Sequence, residues 1–146
     1  MRRNTVSLII ILLFLGGCVT YRNDNLEMLK SLPQHYEQFD IKMAWEVKTI
    51  DGLTVIDGVA KNIRYVVMDD LEIRVASLDA KGKDVHRAVD FIHSLRENEA
   101  SPFRLKIPQA ASGSRLRFTY RYIGNTGGGE SRDALPWMQS FESEVP

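Results

Sequence analysis

The sequence predicts an all-β fold, a sandwich of antiparallel strands, on three observations. Apolar residues recur with a period of two through residues 39–47 and again through 114–123. Clusters of Gly, Pro, Asp and Asn separate these and several shorter runs, and nothing alternates strand with helix as a parallel sheet would require. The chain has a single cysteine, so no internal disulfide can staple it and a hydrophobic core must suffice. A length of 146 residues, with 44% hydrophobic and 26% charged residues, suits one domain of ordinary globular composition.

The elements follow in chain order. Arg2 and Arg3 precede an apolar run of ten residues, Val6 to Leu15, and then Gly16, Gly17 and Cys18. A ten-residue helix is roughly 15 Å long, about half the hydrocarbon thickness, so the run is too short to span a bilayer. A basic start, a short apolar stretch and small residues before a cleavage point read as an export signal over 1–17. Residues 18–37 read as a tether, or as a helix packed on the domain. Asp24 with Glu27 suits a capping box, Leu26, Leu29 and Lys30 continue the turns, and Leu32-Pro33 ends them. Fully extended, residues 19–37 would reach at most about 65 Å.

The domain itself is expected over 38–146. Phe39, Ile41, Met43, Trp45 and Val47 alternate with polar neighbours, and Asp51-Gly52 supplies a tight turn. Leu53, Val55 and Val59 mark a second strand, with Gly58 at a bulge or a close backbone approach and Asn62 at its end. Leu71, Ile73 and Val75 face one way in a third run that closes on the turn Asp79-Ala80-Lys81-Gly82. Val85, Val89 and Phe91 fit a strand imperfectly, and 88–95 also fits a helix. Phe103, Leu105 and Ile107 lie between Pro102 and Pro108. Leu116, Phe118, Tyr120 and Tyr122 form the cleanest alternation of all. A flexible loop is expected over 124–129. Residues 134–141 suit an edge strand, because Pro136 cannot donate within a central ladder. About seven strands of this kind indicate an immunoglobulin-like antiparallel β-sandwich with Trp45 in its core.

Two resemblances add to this reading. Leu15-Gly16-Gly17-Cys18 resembles the lipobox of bacterial lipoproteins. The resemblance implies a diacylglyceryl group on the Cys18 thiol, removal of 1–17 and acylation of the new amino terminus. Three acyl chains, palmitate among them, would anchor the protein durably where one binds only marginally. Val19 stands where Asp would imply inner-membrane retention, so the resemblance implies an outer-membrane anchor with the domain facing the periplasm. Further on, Ile56-Asp57-Gly58-Val59-Ala60-Lys61-Asn62 and Leu71 to Lys83 resemble the bacterial FxLYD-type domain. Those domains are small exported or lipid-anchored immunoglobulin-like sandwiches without a general assigned activity. The sequence departs from their signature at Val75, Ser77 and Leu78 and keeps only Asp79.

The residues offer no catalytic constellation, so no catalytic residue, metal ligand or cofactor is expected. His86 and His93 face opposite ways on a strand, because their separation is odd. Ser112-Gly113-Ser114 is no nucleophile elbow. Asp69-Asp70 lacks the spacing of a calcium loop. Gly124 to Ser131 lacks the lysine of a phosphate loop and carries Glu130. Removing 1–17 takes away Arg2 and Arg3 and leaves 17 basic against 19 acidic residues, a balance that disfavours nucleic acid as a partner.

One feature stands out. From Ala100 to Gly129 there are five basic residues and no acidic one: Arg104, Lys106, Arg115, Arg117 and Arg121. If the 103–107 strand paired with the 115–122 strand, they would form one basic face suited to an anionic envelope component or an acidic protein; the bland alternative is a solvated face balanced by Asp40, Glu46 or Glu72. Trp137 and Met138 suit either a partner or the core. The expected function is that of a non-enzymatic, membrane-anchored lipoprotein whose sandwich binds or supports another cell-envelope component. An envelope hydrolase with dispersed Ser, His and Asp residues, or a purely structural envelope protein, are the alternatives.

Overall fold

The computed structural model describes residues 17–126 and 136–146, without side chains for 17–23. The expected export signal up to Gly16, residues 127–129 of the expected loop and residues 134–135 of the expected edge strand therefore lie outside the described residues.

Helix α1 spans Gly17–Ser31. It stops before Leu32-Pro33, where proline turns the preceding residue away from helical geometry. Asp24 does not cap it, since the helix already runs through that position. The alternative of a packed helix is the one realised. Asn25 is buried, its Nδ2 donates to the carbonyl of Ala100 at 3.0 Å, and Leu32 is buried behind it.

Eight strands follow among the described residues: β1 (Gln34–Glu37), β2 (Ile41–Ile50), β3 (Leu53–Asn62), β4 (Val67–Leu78), β5 (Asp84–Leu95), β6 (Ala100–Pro108), β7 (Arg115–Asn125) and β8 (Pro136–Glu144). They form two four-stranded antiparallel sheets, sheet A in the order β1-β2-β3-β6 and sheet B in the order β5-β4-β7-β8. The two inner faces enclose one core, so the chain is an all-β sandwich as the periodicity predicts. Two boundaries shift. The sheet begins at Gln34, inside the stretch expected as tether. The 84–95 segment is a strand throughout, not a helix.

Ile41, Met43, Trp45, Phe118, Tyr120 and Tyr122 all sit in the core, with Trp45 only 2% exposed against the rings of Phe118 and Phe141. Phe39 departs from its expected place. It lies in the turn before β2, 56% exposed, because strand pairing starts only at Ile41. In β3 the inward residues are Ile56 and Ala60 rather than Val55 and Val59. Gly58 meets the expectation of a close approach: a Cβ there would stand 2.4 Å from the Phe103 ring. Val59 and its strand partner Ala44 point outward yet are fully buried, since α1 packs over β2, β3 and β6.

The connections follow local chemistry. Asp51 and Gly52 take left-handed φ values of 51° and 74°, the geometry of a two-residue hairpin turn. Asp79 Oδ1 accepts from the amides of Lys81 (2.8 Å) and Lys83 (2.9 Å). Asn62 is a buried clasp: its Nδ2 donates to the carbonyls of Val66 (2.7 Å) and Leu95 (2.9 Å), while its Oδ1 accepts from the Arg64 amide. Along the open edge of β6, Pro102 and Pro108 carry no amide hydrogen, and the Arg104 amide donates to Asp90 Oδ2 on β5 at 2.8 Å.

Strand alternation sorts the loops. Turns 38–40, 63–66 and 96–99 share one end of the sandwich with Asn125 and Pro136, and turns 51–52, 79–83 and 109–114 share the other.

Candidate interaction surfaces

The five basic residues do not form one face. Arg104 and Lys106 lie on β6 in sheet A, and Arg115, Arg117 and Arg121 lie on β7 in sheet B, so the sandwich separates them. The arginines are also answered locally. Arg104 grips Asp57, directly across the ladder on β3, with both Nε and Nη2. Arg115 reaches Glu142 at 3.4 Å, and Arg117 bridges Asp84 and Glu142, each at 3.1 Å. Arg121 meets Glu72 at 3.2 Å, and Glu72 also pairs with Arg74. These are cross-strand neighbours: Arg117 faces Glu142 and Arg121 faces Glu72 in the ladder. A count along the chain from 100 to 129 passes over every one of those carboxylates, because they belong to β3, β4, β5 and β8.

A different cluster emerges at the end formed by turns 38–40 and 63–66. Phe39, Tyr65 (75% exposed) and Trp137 (38% exposed) stand there together, Phe39 and Trp137 edge to face at 5.3 Å. The Arg64 guanidinium lies over Phe39 and Tyr65, 5.4 Å and 5.9 Å from the ring centres. Ile123 and Met138 are also exposed, on the outer face of sheet B. Trp137 and Met138 are therefore at the surface. Phe141 folds back instead, stacked on Tyr36 with ring centres 3.6 Å apart.

A buried network fixes this end from below. Asp40 has no solvent exposure, and its carboxylate accepts from Tyr120 at 2.9 Å and Tyr122 at 3.1 Å. Arg64 Nη1 in turn donates to the Tyr122 hydroxyl at 3.1 Å. Burial pushes both phenol pKa values up; at Tyr122 the Arg64 hydrogen bond pulls the other way. Phenols held protonated act as donors here, the reverse of an activated nucleophile. Sequence periodicity places both tyrosines in the core, yet it carries no sign that they would converge on Asp40.

Among the described residues, the remaining polar side chains do not assemble a reaction centre. His93 reaches Asp70 at 3.5 Å and Ser94 reaches Asp69 at 3.2 Å, but adjacent strand residues point to opposite faces. No group of three His, Cys, Asp or Glu residues able to hold a metal occurs among the described residues. A groove of about 900 Å³ runs between α1 and the β1–β2 hairpin, past Leu26, Lys30, His35, Tyr36, Lys42 and Lys61. Cys18 lies in the first turn of α1.

No family model and no curated protein matches the chain. Solved structures do. The GAE domain of GGA2p from Saccharomyces cerevisiae aligns with a TM-score of 0.50 at 11% identity, over 77% of this chain and 96% of that one. The putative ApaA protein from Bordetella pertussis aligns with a TM-score of 0.47 at 10% identity, over 79% of this chain and 98% of that one. At such identity the likeness to the GAE domain is one of fold alone, and the fold is an immunoglobulin-like β-sandwich.

Proposed function

We propose that the protein is an exported lipoprotein, acylated on Cys18, whose sandwich serves as a non-catalytic binding or supporting module on a cell-envelope membrane. The observation that carries this reading is the order Arg2-Arg3, apolar run, Leu15-Gly16-Gly17-Cys18, followed directly by the helix that docks on the sandwich. Cleavage before Cys18 would leave α1 as the link between lipid and domain. Because α1 is packed from Asn25 onward, that link is short. Cys18 precedes Asn25 by seven residues, about 10 Å along a helix, against the 65 Å or so of an extended tether. Three acyl chains at about 0.8 kcal/mol per buried CH₂ would make the attachment effectively permanent. Val19 after the cysteine favours the outer membrane, with the domain in the periplasm.

The partner is another envelope component. Self-neutralised arginines on sheet B remove the case for a polyanion docking on them, because each prospective ligand would first have to displace a carboxylate already in place. Mass spectrometry of the mature protein tests the anchor: three acyl chains at residue 18 are expected, and Cys18→Ser should release the domain or leave uncleaved precursor. A mature form that keeps Met1, or one with a free thiol at Cys18, would overturn the reading.

A further inference from the structure

We propose that the aromatic end of the sandwich, Phe39, Tyr65 and Trp137 with Arg64, sits in the interfacial layer of the membrane that holds Cys18. This rests on the lipid-anchor reading above and adds an orientation to it. The argument begins with one cross-strand row. Glu37, Lys42, Lys61 and Ala100 are successive partners across sheet A. Asn25 of α1 is fastened to Ala100 in that row. Further along α1, Met28 lines a hollow with Gly58 and Phe103, and the chain then enters β1 at Gln34 opposite Trp45, so the helix descends from this end while it crosses sheet A from the β6 edge to the β1 edge. Traced backwards, the helix carries Cys18 about 10 Å beyond Asn25, out past the row. Phe39 is two residues past Glu37, and Tyr65 belongs to the turn at the same end. Cys18 and the aromatic cluster therefore lie beyond the same end of the sandwich, Cys18 on the β6 side and Phe39 on the β1 side.

The chemistry suits an interface between water and hydrocarbon. Trp and Tyr combine an apolar body with a polar tip and collect at headgroup depth, and Phe adds apolar depth. Arg64, held over the two rings and braced by Tyr122, presents a guanidinium where lipid phosphates would lie. Three large aromatic residues exposed within one cluster otherwise stand in water without compensation. Glu37, the acidic residue two positions before Phe39, is answered by Lys42 at 2.8 Å. Glu97 and Glu99 occupy the β5–β6 turn with Arg96, and Asp70 the start of β4.

The protein holds two tryptophans, which makes the test direct. Trp45 is in the core and serves as an internal reference, while Trp137 reports on the patch. The lipidated, full-length mature protein would be placed in phosphatidylcholine–phosphatidylglycerol vesicles containing lipids brominated just below the headgroup. Roughly a twofold loss of Trp137 emission is expected, as for an indole at headgroup depth. The Trp137→Phe protein, equally bound, should show no loss. Protein that floats with the vesicles but whose emission is untouched would overturn the orientation and leave the anchor standing. Purified protein that lacks acyl chains and fails to float would overturn the anchor reading, and this inference with it. Phe39→Ser with Tyr65→Ser, acylated as before, should reduce the quenching; unchanged quenching would overturn the assignment of those residues.

Discussion

Sheets A and B have four strands each but meet their surroundings differently. On sheet A the outward residues Ala44 and Val59 are as buried as the core, because α1 covers them. On sheet B no helix covers the outer face among the described residues. Its arginines interlock with Glu72, Asp84 and Glu142, and Val89 and Phe91 stand exposed beside them on β5. An outward apolar residue therefore carries opposite meanings on the two sheets. Under α1 it is part of the packing that holds the helix to the sandwich; on β5 it is surface.

The sharpest way to break this contrast is one substitution made twice. Val59→Asp places an unpaired charge beneath α1 and should cost about 3–5 kcal/mol in urea unfolding. Val89→Asp puts the same group in solvent on sheet B and should cost under about 1 kcal/mol. Similar losses at both sites would abolish the distinction. A smaller effect sharpens it. Asn25→Ala removes the one side-chain hydrogen bond from α1 to Ala100 and should cost about 1–3 kcal/mol, with faster proteolysis of the helix as the readout. The smallest effect belongs to sheet B. Changing Arg115, Arg117 and Arg121 together to Gln should cost no more than about 1 kcal/mol per exposed pair, less still in high salt. A larger, salt-insensitive loss would mean that the charged face is as structural as the covered one.

The same contrast explains what could be read from the sequence. Strands with one face in water announce themselves: Ile41 to Val47 and Leu116 to Tyr122 alternate cleanly because only one side is buried. Where both faces are covered, alternation fails, and β3 shows it. Val55 and Val59 look like the core face, while Ile56 and Ala60 occupy it. Gln34 to Glu37 is too short and too polar to signal β1 at all, although it pairs fully with β2. The separation of Arg104 from Arg117 depends on which strands pair, and that is decided by the whole sandwich rather than by either segment. The aromatic end was half visible. Trp137 stands out near the chain end, but Phe39 reads as core until the turn geometry displaces it, and nothing local links Tyr65 to either.

The donor-poor edge of β6 has a further consequence. Confinement to a membrane surface, which lipid anchoring would impose, concentrates copies of a protein in two dimensions and favours strand-to-strand polymerisation. Alternate amides of an edge strand point toward the open side. On β6 the Arg104 amide points there, so positions 102, 106 and 108 share its direction. Two of those four are prolines and Arg104 is already taken by Asp90, which leaves Lys106, a charged residue, as the single donor along that stretch. An incoming strand would find carbonyl acceptors but almost no amide to donate in return, so a full ladder could not form and crowding on the membrane would not by itself zip neighbouring copies into a fibre along this edge.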